Sequence, residues 1–188
     1  MIHQIDKTTK LNRYPDIFKF CRDNIIEKKC KILSFGSSTG EELVSIAMHF
    51  GESEIYGVEI DKHCLDESIK LTKNVDRIKI SSEIPNEKFD IIFCMSVFCK
   101  WPETQLIKDS SGVYEFHQFE SGINLIENHL NKDGLLVLFN SNFIFEDTDV
   151  SKNYISIFES NDSQVHKFSK SNKKLNKSYK KCIFKKLS

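Results

Sequence analysis

Apolar residues recur at helical spacing in the first part of the chain: Ile17, Phe18, Cys21, Ile25 and Ile26 follow Pro15, which predicts a helix ending before Cys30. "CKILSF" then reads as a short apolar strand, residues 36 to 40 as a turn, and "EELVSIAMHF" as a helix through Leu43, Ile46, Ala47 and Phe50 that Gly51 stops. A second strand, "EIYGVEI", leads into a helix over "DKHCLDESIKL", with Asp61 suited to its N-cap and Leu65 and Ile69 facing inward. "DRIKIS" is a brief third strand. "KFDIIFCMSVF" is apolar after Asp90 apart from Ser96, as a strand covered on both faces should be. Residues 99 to 116 read as a polar cap loop, and "FHQFESGINLIENHLN" as a helix with Phe119, Ile123, Ile126 and Leu130 on one face. "KDG" closes that helix before the strand "LLVLFN", a short helix is expected near "SKNYISIFES", and "VHKF" and "YKKCIFKKL" end the chain, the latter alternating as a strand does. Alternation of strand and helix with short connections argues for an open α/β sheet, mostly parallel, with helices on both faces. Ligands of such sheets bind beyond the carboxyl ends of the strands.

Composition narrows the class. A chain of 188 residues fits a single domain, and 39% hydrophobic with 29% charged residues is ordinary for a globular protein whose core draws on 15 Phe. The six cysteines show neither a CxxC pair nor zinc spacing, and the histidines are scattered, so reduced core thiols and no metal are expected. No apolar run approaches the ~20 residues of a bilayer span, and "MIHQIDKTTKLNRYPD" has no hydrophobic signal core. These features point to a cytoplasmic protein without a membrane partner. The zero net charge hides an asymmetry: residues 161–188 hold nine Lys against one Asp, while the remainder has 18 basic and 26 acidic residues. Such a segment attracts nucleic acid, an acidic membrane or an acidic substrate, or it is a hairpin with lysines on its wet face, since Val165, Phe168, Leu175, Tyr179, Ile183 and Phe184 punctuate it.

The turn "FGSSTGEE" carries the first chemistry. Small residues after a strand let a ligand lie against the main chain. A P-loop would need GxxxxGK[ST], and no Lys follows here; a dinucleotide fingerprint would need glycines where Ser38 and Glu41 stand, and Glu41 would repel a pyrophosphate. S-adenosylmethionine has no phosphate. Gly36 would admit its amino acid end and ribose, Ser37, Ser38 and Thr39 would donate hydrogen bonds, and Gly40 would permit close packing at the helix start. A carboxylate is then needed at the end of the second strand to accept from the two ribose hydroxyls, and Glu59 stands there, 23 residues after Gly36.

With those residues the chain resembles the class I S-adenosylmethionine-dependent methyltransferases from about residue 15 to its end. "ILSFGSSTGEE" looks like their first motif, in a form similar to that of the chemotaxis receptor methyltransferases; "YGVEID" resembles the second and "KFDIIFCMSVF" the fourth. "LNKDGLLVLFNSNF" and "YKKCIFKK" are similar to the segment around the fifth strand and to the closing antiparallel strand. The resemblance implies a Rossmann-like three-layer α-β-α sandwich with a mostly parallel seven-stranded sheet and an antiparallel C-terminal strand. It implies one methyltransferase domain over 1–188, with a helical lead-in over 1–30, a cap loop over 99–116 and a basic C-terminal hairpin over 161–188. It adds Ile60, Ser82, Cys94, Met95 and Ser96 to the cofactor-binding residues. The usual Asp after the third strand is replaced by a choice among Ser81, Ser82 and Glu83, and Lys132 and Asp133 replace Pro and Gly before the fifth. No NPPY or DPPY stands at "CMSV", which counts against methylation of DNA bases, and the absence of the chemotaxis enzymes' N-terminal domain counts against receptor methylation.

Methyl transfer needs chiefly positioning and exclusion of water, with a base only where the acceptor must lose a proton. His117 is the candidate base, with a structural role as its alternative. Phe98, Trp101 and Tyr114 either wall the sulfonium or pack the cap, and Cys94 and Cys99 are expected to pack. The expected function is transfer of a methyl group to a small-molecule acceptor. The alternatives are a non-catalytic S-adenosylmethionine-binding protein and a methyltransferase acting on RNA or protein through the basic C-terminal segment.

Overall fold

A computed structural model describes residues 4, 9–25 and 29–187. Its elements are α1 (Pro15–Asn24), β1 (Lys31–Phe35), α2 (Glu41–His49), β2 (Glu54–Val58), α3 (Lys62–Thr72), β3 (Ile78–Ser81), β4 (Phe89–Met95), α4 (Phe116–Glu127), β5 (Leu130–Phe139), β6 (Tyr154–Glu159) and β7 (Lys181–Lys186). The seven strands lie in the order β3-β2-β1-β4-β5-β7-β6. β1 pairs in parallel with β2 and β4, and β2 with β3, whereas β7 runs antiparallel to both β5 and β6. This is the expected Rossmann-like, mostly parallel sheet with a reversed C-terminal strand, flanked by helices. Two compact units share the chain, one ending at Phe93 and one running from Cys94 with Gln4, so the boundary falls within β4.

In the unit that ends at Phe93, β1 buries Ile32, Leu33 and Ser34 in succession, as a parallel strand covered on both faces must. Ile32, Leu33, Leu43, Ile46, Ile55, Ile91 and Ile92 are all inaccessible, each worth roughly 1.5–3 kcal/mol of transfer from water. Phe18 of α1 reaches Phe93 with ring centroids 5.3 Å apart. The strand order turns back at β1, so its carboxyl end opens onto residues 36–40, where such sheets bind ligands.

The second unit is held by aromatic rings. Phe98 packs edge-on against Phe119, Phe143 touches Tyr114, Phe116 and Phe119, and Phe145 lies 4.5 Å from Phe184 of β7. Residues 99–115 and 160–180 carry no regular helix or strand, yet buried side chains stitch them together. Asn142, fully buried, accepts the Lys100 amide on Oδ1 at 2.8 Å and donates from Nδ2 to the His166 carbonyl at 2.9 Å. The amide of Ser110 and that of Phe116 both reach Asn172.

Five local expectations need correction. The buried residues of α3 are Cys64, Ser68 and Thr72, whereas Leu65 is half-buried and Ile69 is 48% exposed, so the inward face is not the one expected. α1 stops at Asn24, whose side chain donates to the Phe20 carbonyl at 2.9 Å; Ile25 is already extended, and Ile26 lies outside the described residues. α4 ends at Glu127, before "KDG", because the Lys186 ammonium takes the Glu127 and Leu130 carbonyls at 3.2 Å; Lys132, Asp133 and Gly134 therefore belong to β5. The segment expected as a short helix forms a 3-10 turn over Asp149–Asn153 and then β6, where β-branched and aromatic side chains find a ladder partner in β7. Among the described residues of the basic segment 161–188 the hairpin pairing is confined to a tight antiparallel turn, Phe168 against Lys174, and the one strand is β7, whose ladder partners β5 and β6 lie upstream.

Candidate functional site

The turn after β1 hangs from the end of β2. The amides of Gly36 and Ser37 both donate to the Val58 carbonyl, at 2.9 and 3.0 Å. Three residues in the turn take left-handed backbone, Gly36 at φ 80°, Ser38 at φ 49° and Gly40 at φ 99°. Gly40 is fixed by space as well, since a Cβ there would sit 3.0 Å from the Ser68 Cα of α3. The turn is thus pulled flat against its neighbours.

Glu59, one residue beyond β2, closes the arrangement. Its Oε2 accepts the Ser38 amide at 2.8 Å and its Oε1 the Asp61 amide at 2.8 Å, while its own amide donates to the Ser81 carbonyl at the end of β3. Both oxygens are oriented by backbone, and each keeps a further lone pair for a hydroxyl donor. Asp61 caps α3 as expected, accepting the Cys64 amide at 3.0 Å.

Within this unit the structure brings together Gly36, Ser37, Ser38, Gly40 and Glu59. Thr39 is turned to Glu41, its hydroxyl donating to Oε2 at 2.7 Å. Ile60 is 52% exposed and Ser82 is exposed beyond β3. Two residues were not anticipated. Gly57 in β2 leaves no room for a Cβ, which would lie 2.8 Å from Leu43 Cδ1 and 3.1 Å from Ser37 Oγ; the glycine in "YGVEID" was its signal. Beside it the Ser37 hydroxyl is buried and has no hydrogen-bond partner among the described residues. Glu42, at the start of α2, accepts the Ser34 hydroxyl at 2.7 Å, and burial pushes its carboxyl up to about 7.

The second unit holds the other expected residues. Cys94 is buried in β4, Met95 ends that strand, and Ser96 follows at φ 61° with its amide on the Phe139 carbonyl and its hydroxyl accepting from Asn140, itself at φ 55°. Two non-glycine residues held in this region mark local strain of the kind found at functional sites. Cys99 is buried, accepting from Gln4 and donating to the Ser96 carbonyl, so both cysteines pack as expected. His117 is 71% exposed on the first turn of α4, 3.4 Å from Glu115, a poor place for a base that must meet a shielded acceptor. Phe98 and Tyr114 are inaccessible core residues and Trp101 is exposed, so the three do not form one aromatic wall.

Five of the nine lysines of the basic segment pair with carboxylates. Lys170, Lys173, Lys181, Lys185 and Lys186 pair with Asp149, Asp109, Glu146, Asp133 and Glu127. Lys167 is buried, its ammonium donating to the Ser141 carbonyl and lying 5.3 Å from the Tyr179 ring centroid. No helix among the described residues is long and apolar enough to cross a membrane.

No family model and no curated protein matches the chain. Solved structures do. DesVI of Streptomyces venezuelae is similar at 16% identity, over 70% of this chain and 50% of that one, with a TM-score of 0.49. A putative S-adenosylmethionine-dependent methyltransferase of Methanococcus maripaludis is 18% identical over 67% of this chain and 54% of its own, with a TM-score of 0.48. Coclaurine N-methyltransferase, solved with N-methylheliamine and S-adenosylhomocysteine, is 15% identical over 73% of this chain and 39% of its own, also at 0.48. The chain spans about half the length of the solved chains it matches.

Proposed function

We propose that the chain binds S-adenosylmethionine at the turn after β1 and transfers its methyl group to a small-molecule acceptor. The observation that carries this reading is the Glu59 carboxylate, fixed by the Ser38 and Asp61 amides with lone pairs left over, at the end of the strand beside a bare, left-handed turn. A vicinal diol presents two donors that such a carboxylate accepts together. The first turn of α2 supports the choice of ligand. A phosphate would need its positive end, and here Glu41 and Glu42 occupy it, which disfavours a nucleotide.

Bound there, S-adenosylmethionine would supply a methyl carbon already activated by its sulfonium. The chain's own part is to hold it. Glu59 would fix the ribose, and Gly36, Ser37 and Ser38 would lie against the amino acid end, with the buried Ser37 hydroxyl finding there the partner it otherwise lacks. Positioning of this kind is worth much of the rate of a displacement that needs no covalent catalysis.

A second reading, binding without chemistry, is favoured by the exposure of His117. The reading through RNA or protein loses its main support, since five lysines of the basic segment are paired within the fold. Calorimetry with S-adenosylmethionine tests the proposal. Binding to the intact protein that is lost in Glu59→Ala supports it, and no binding to the intact protein ends it. Conversion to S-adenosylhomocysteine with a panel of acceptors then separates enzyme from binder.

A further inference from the structure

Leu106 is 96% exposed, more than any other large apolar side chain among the described residues. A single surface leucine needs no explanation in itself. This one is held in water by anchors on either side. Thr104, fully buried, puts its amide and its hydroxyl on the Lys100 carbonyl at 2.8 and 2.9 Å, and accepts from the buried Asn142 side chain at 3.3 Å. Four residues beyond Leu106, Ser110 is also fully buried and donates its amide to the Asn172 carbonyl at 2.8 Å, while Asp109 pairs with Lys173. The chain between these anchors carries Leu106 at an apex, and Trp101, 41% exposed, opens the same turn. Apolar surface fixed in this way gains once something apolar covers it.

Charge beside the apex selects the partner. Lys108 is exposed, and its carbonyl accepts the Lys174 amide at 2.9 Å, which sets the two residues next to each other on adjoining segments. Neither ammonium has an ion pair among the described residues, and Lys177, in the same basic segment, has none either. Lys173 is neutralised by Asp109, and the acidic residue of the turn is Glu103. Nucleic acid would satisfy the lysines but has no apolar interior for a leucine, whereas a bilayer offers acidic headgroups above acyl chains. We propose that the turn bearing Trp101 and Leu106, with Lys108 and Lys174 beside it, docks on an anionic phospholipid surface, Leu106 entering the headgroup layer. Such a contact needs no spanning segment; the expectation of no membrane partner rested on the lack of one. It does not depend on what the turn after β1 binds.

Trp101 is the only tryptophan of the chain and stands in this turn, so its emission reports the contact. The full chain is titrated with vesicles of phosphatidylcholine alone and of phosphatidylcholine with about a third phosphatidylglycerol, at about 0.1 M and about 0.5 M salt, with co-sedimentation read alongside. The intact protein should bind the anionic vesicles with Trp101 emission moving to shorter wavelength, bind phosphatidylcholine at least about tenfold more weakly, and lose most of its affinity at the higher salt. Leu106→Ser should weaken binding about tenfold, and Lys108→Gln combined with Lys174→Gln about twentyfold. Gln keeps most of each lysine's aliphatic stem, and the backbone bond between the two residues survives, so neither change uncovers the core. Leu125→Ser, which removes a 52% exposed leucine of α4, should bind as the parent does. Absence of binding to the anionic vesicles overturns the proposal, and so does binding that Leu106→Ser leaves unchanged. Binding of a single-stranded RNA in place of the vesicles, weakened by the lysine substitutions but not by Leu106→Ser, assigns the lysines to nucleic acid and overturns it as well.

Discussion

Glu59 and Ser38 lie 21 residues apart in sequence and are joined at 2.8 Å, carboxylate oxygen to backbone amide, with Ser38 in left-handed backbone. The amide so held is in a turn whose conformation few non-glycine residues adopt unaided. Removing the carboxylate should therefore loosen the turn as well as the ligand. Glu59→Ala is expected to cost about 2–4 kcal/mol through the loss of two charge-assisted hydrogen bonds, and to abolish measurable binding of S-adenosylmethionine. Urea unfolding and calorimetry read the two effects separately.

Gly57→Ala places a methyl group 2.8 Å from Leu43 Cδ1 and near the Ser37 hydroxyl. The expected cost is about 1–3 kcal/mol of overpacking, together with weaker ligand binding as Ser37 is displaced. Equal stability and affinity in variant and parent would show that the contact yields without consequence.

The ligand-free protein should itself report the state of Glu42. Its carboxyl stays protonated in the fold up to about 7, whereas the unfolded chain gives up that proton near 4.5. The unfolded state is thereby favoured progressively as pH rises through this window, by at most about 3 kcal/mol, and the effect levels off above it. Glu42→Gln should remove the trend, so that its stability relative to the parent increases between pH 5 and pH 8 in denaturant titrations.

Lys167 gives the opposite sign at the alkaline end. Burial pulls its ammonium down to about 8, with Cys99, Cys182 and Glu146 offsetting part of the shift. Between there and the ordinary lysine range the unfolded chain binds more protons than the fold, so stability rises with pH. Relative to Lys167→Met, the parent should gain about 2 kcal/mol between pH 7.5 and pH 9.5, read by chemical denaturation.

Asn142 joins residues 99–116 to residues 160–180 through one buried amide, with bonds to Lys100, Thr104 and His166. Asn142→Ala should cost about 2–4 kcal/mol and raise hydrogen exchange in both segments together. Exchange that rises in one segment alone would show that they are not tied through this side chain.

The parts of the site that were legible in the chain are those whose cause is local. "CKILSF" and "KFDIIFCMSVF" are strands because a continuous apolar run needs cover on both faces, and Asp61 caps α3 because its carboxylate meets an amide three residues on. Gly36, Gly40 and Glu59 could be paired from spacing, since parallel neighbouring strands bring their carboxyl ends together. Local pattern misled where a distant partner decided. Tyr154–Glu159 is a strand because β7 offers a ladder, and α4 ends early because Lys186, 59 residues beyond Glu127, caps it.

Charge shows the same division. Nine lysines in 28 residues fix the composition of the C-terminal segment, but whether they face a partner depends on carboxylates such as Asp109, 64 residues from Lys173. Coulomb pairing and burial act through space, so the sequence by itself determined the sheet, the turn and the acid that faces it. Only the tertiary structure decided that five lysines of the basic segment pair within the fold, that Lys167 is buried, and that Glu42 stands beside Ser34.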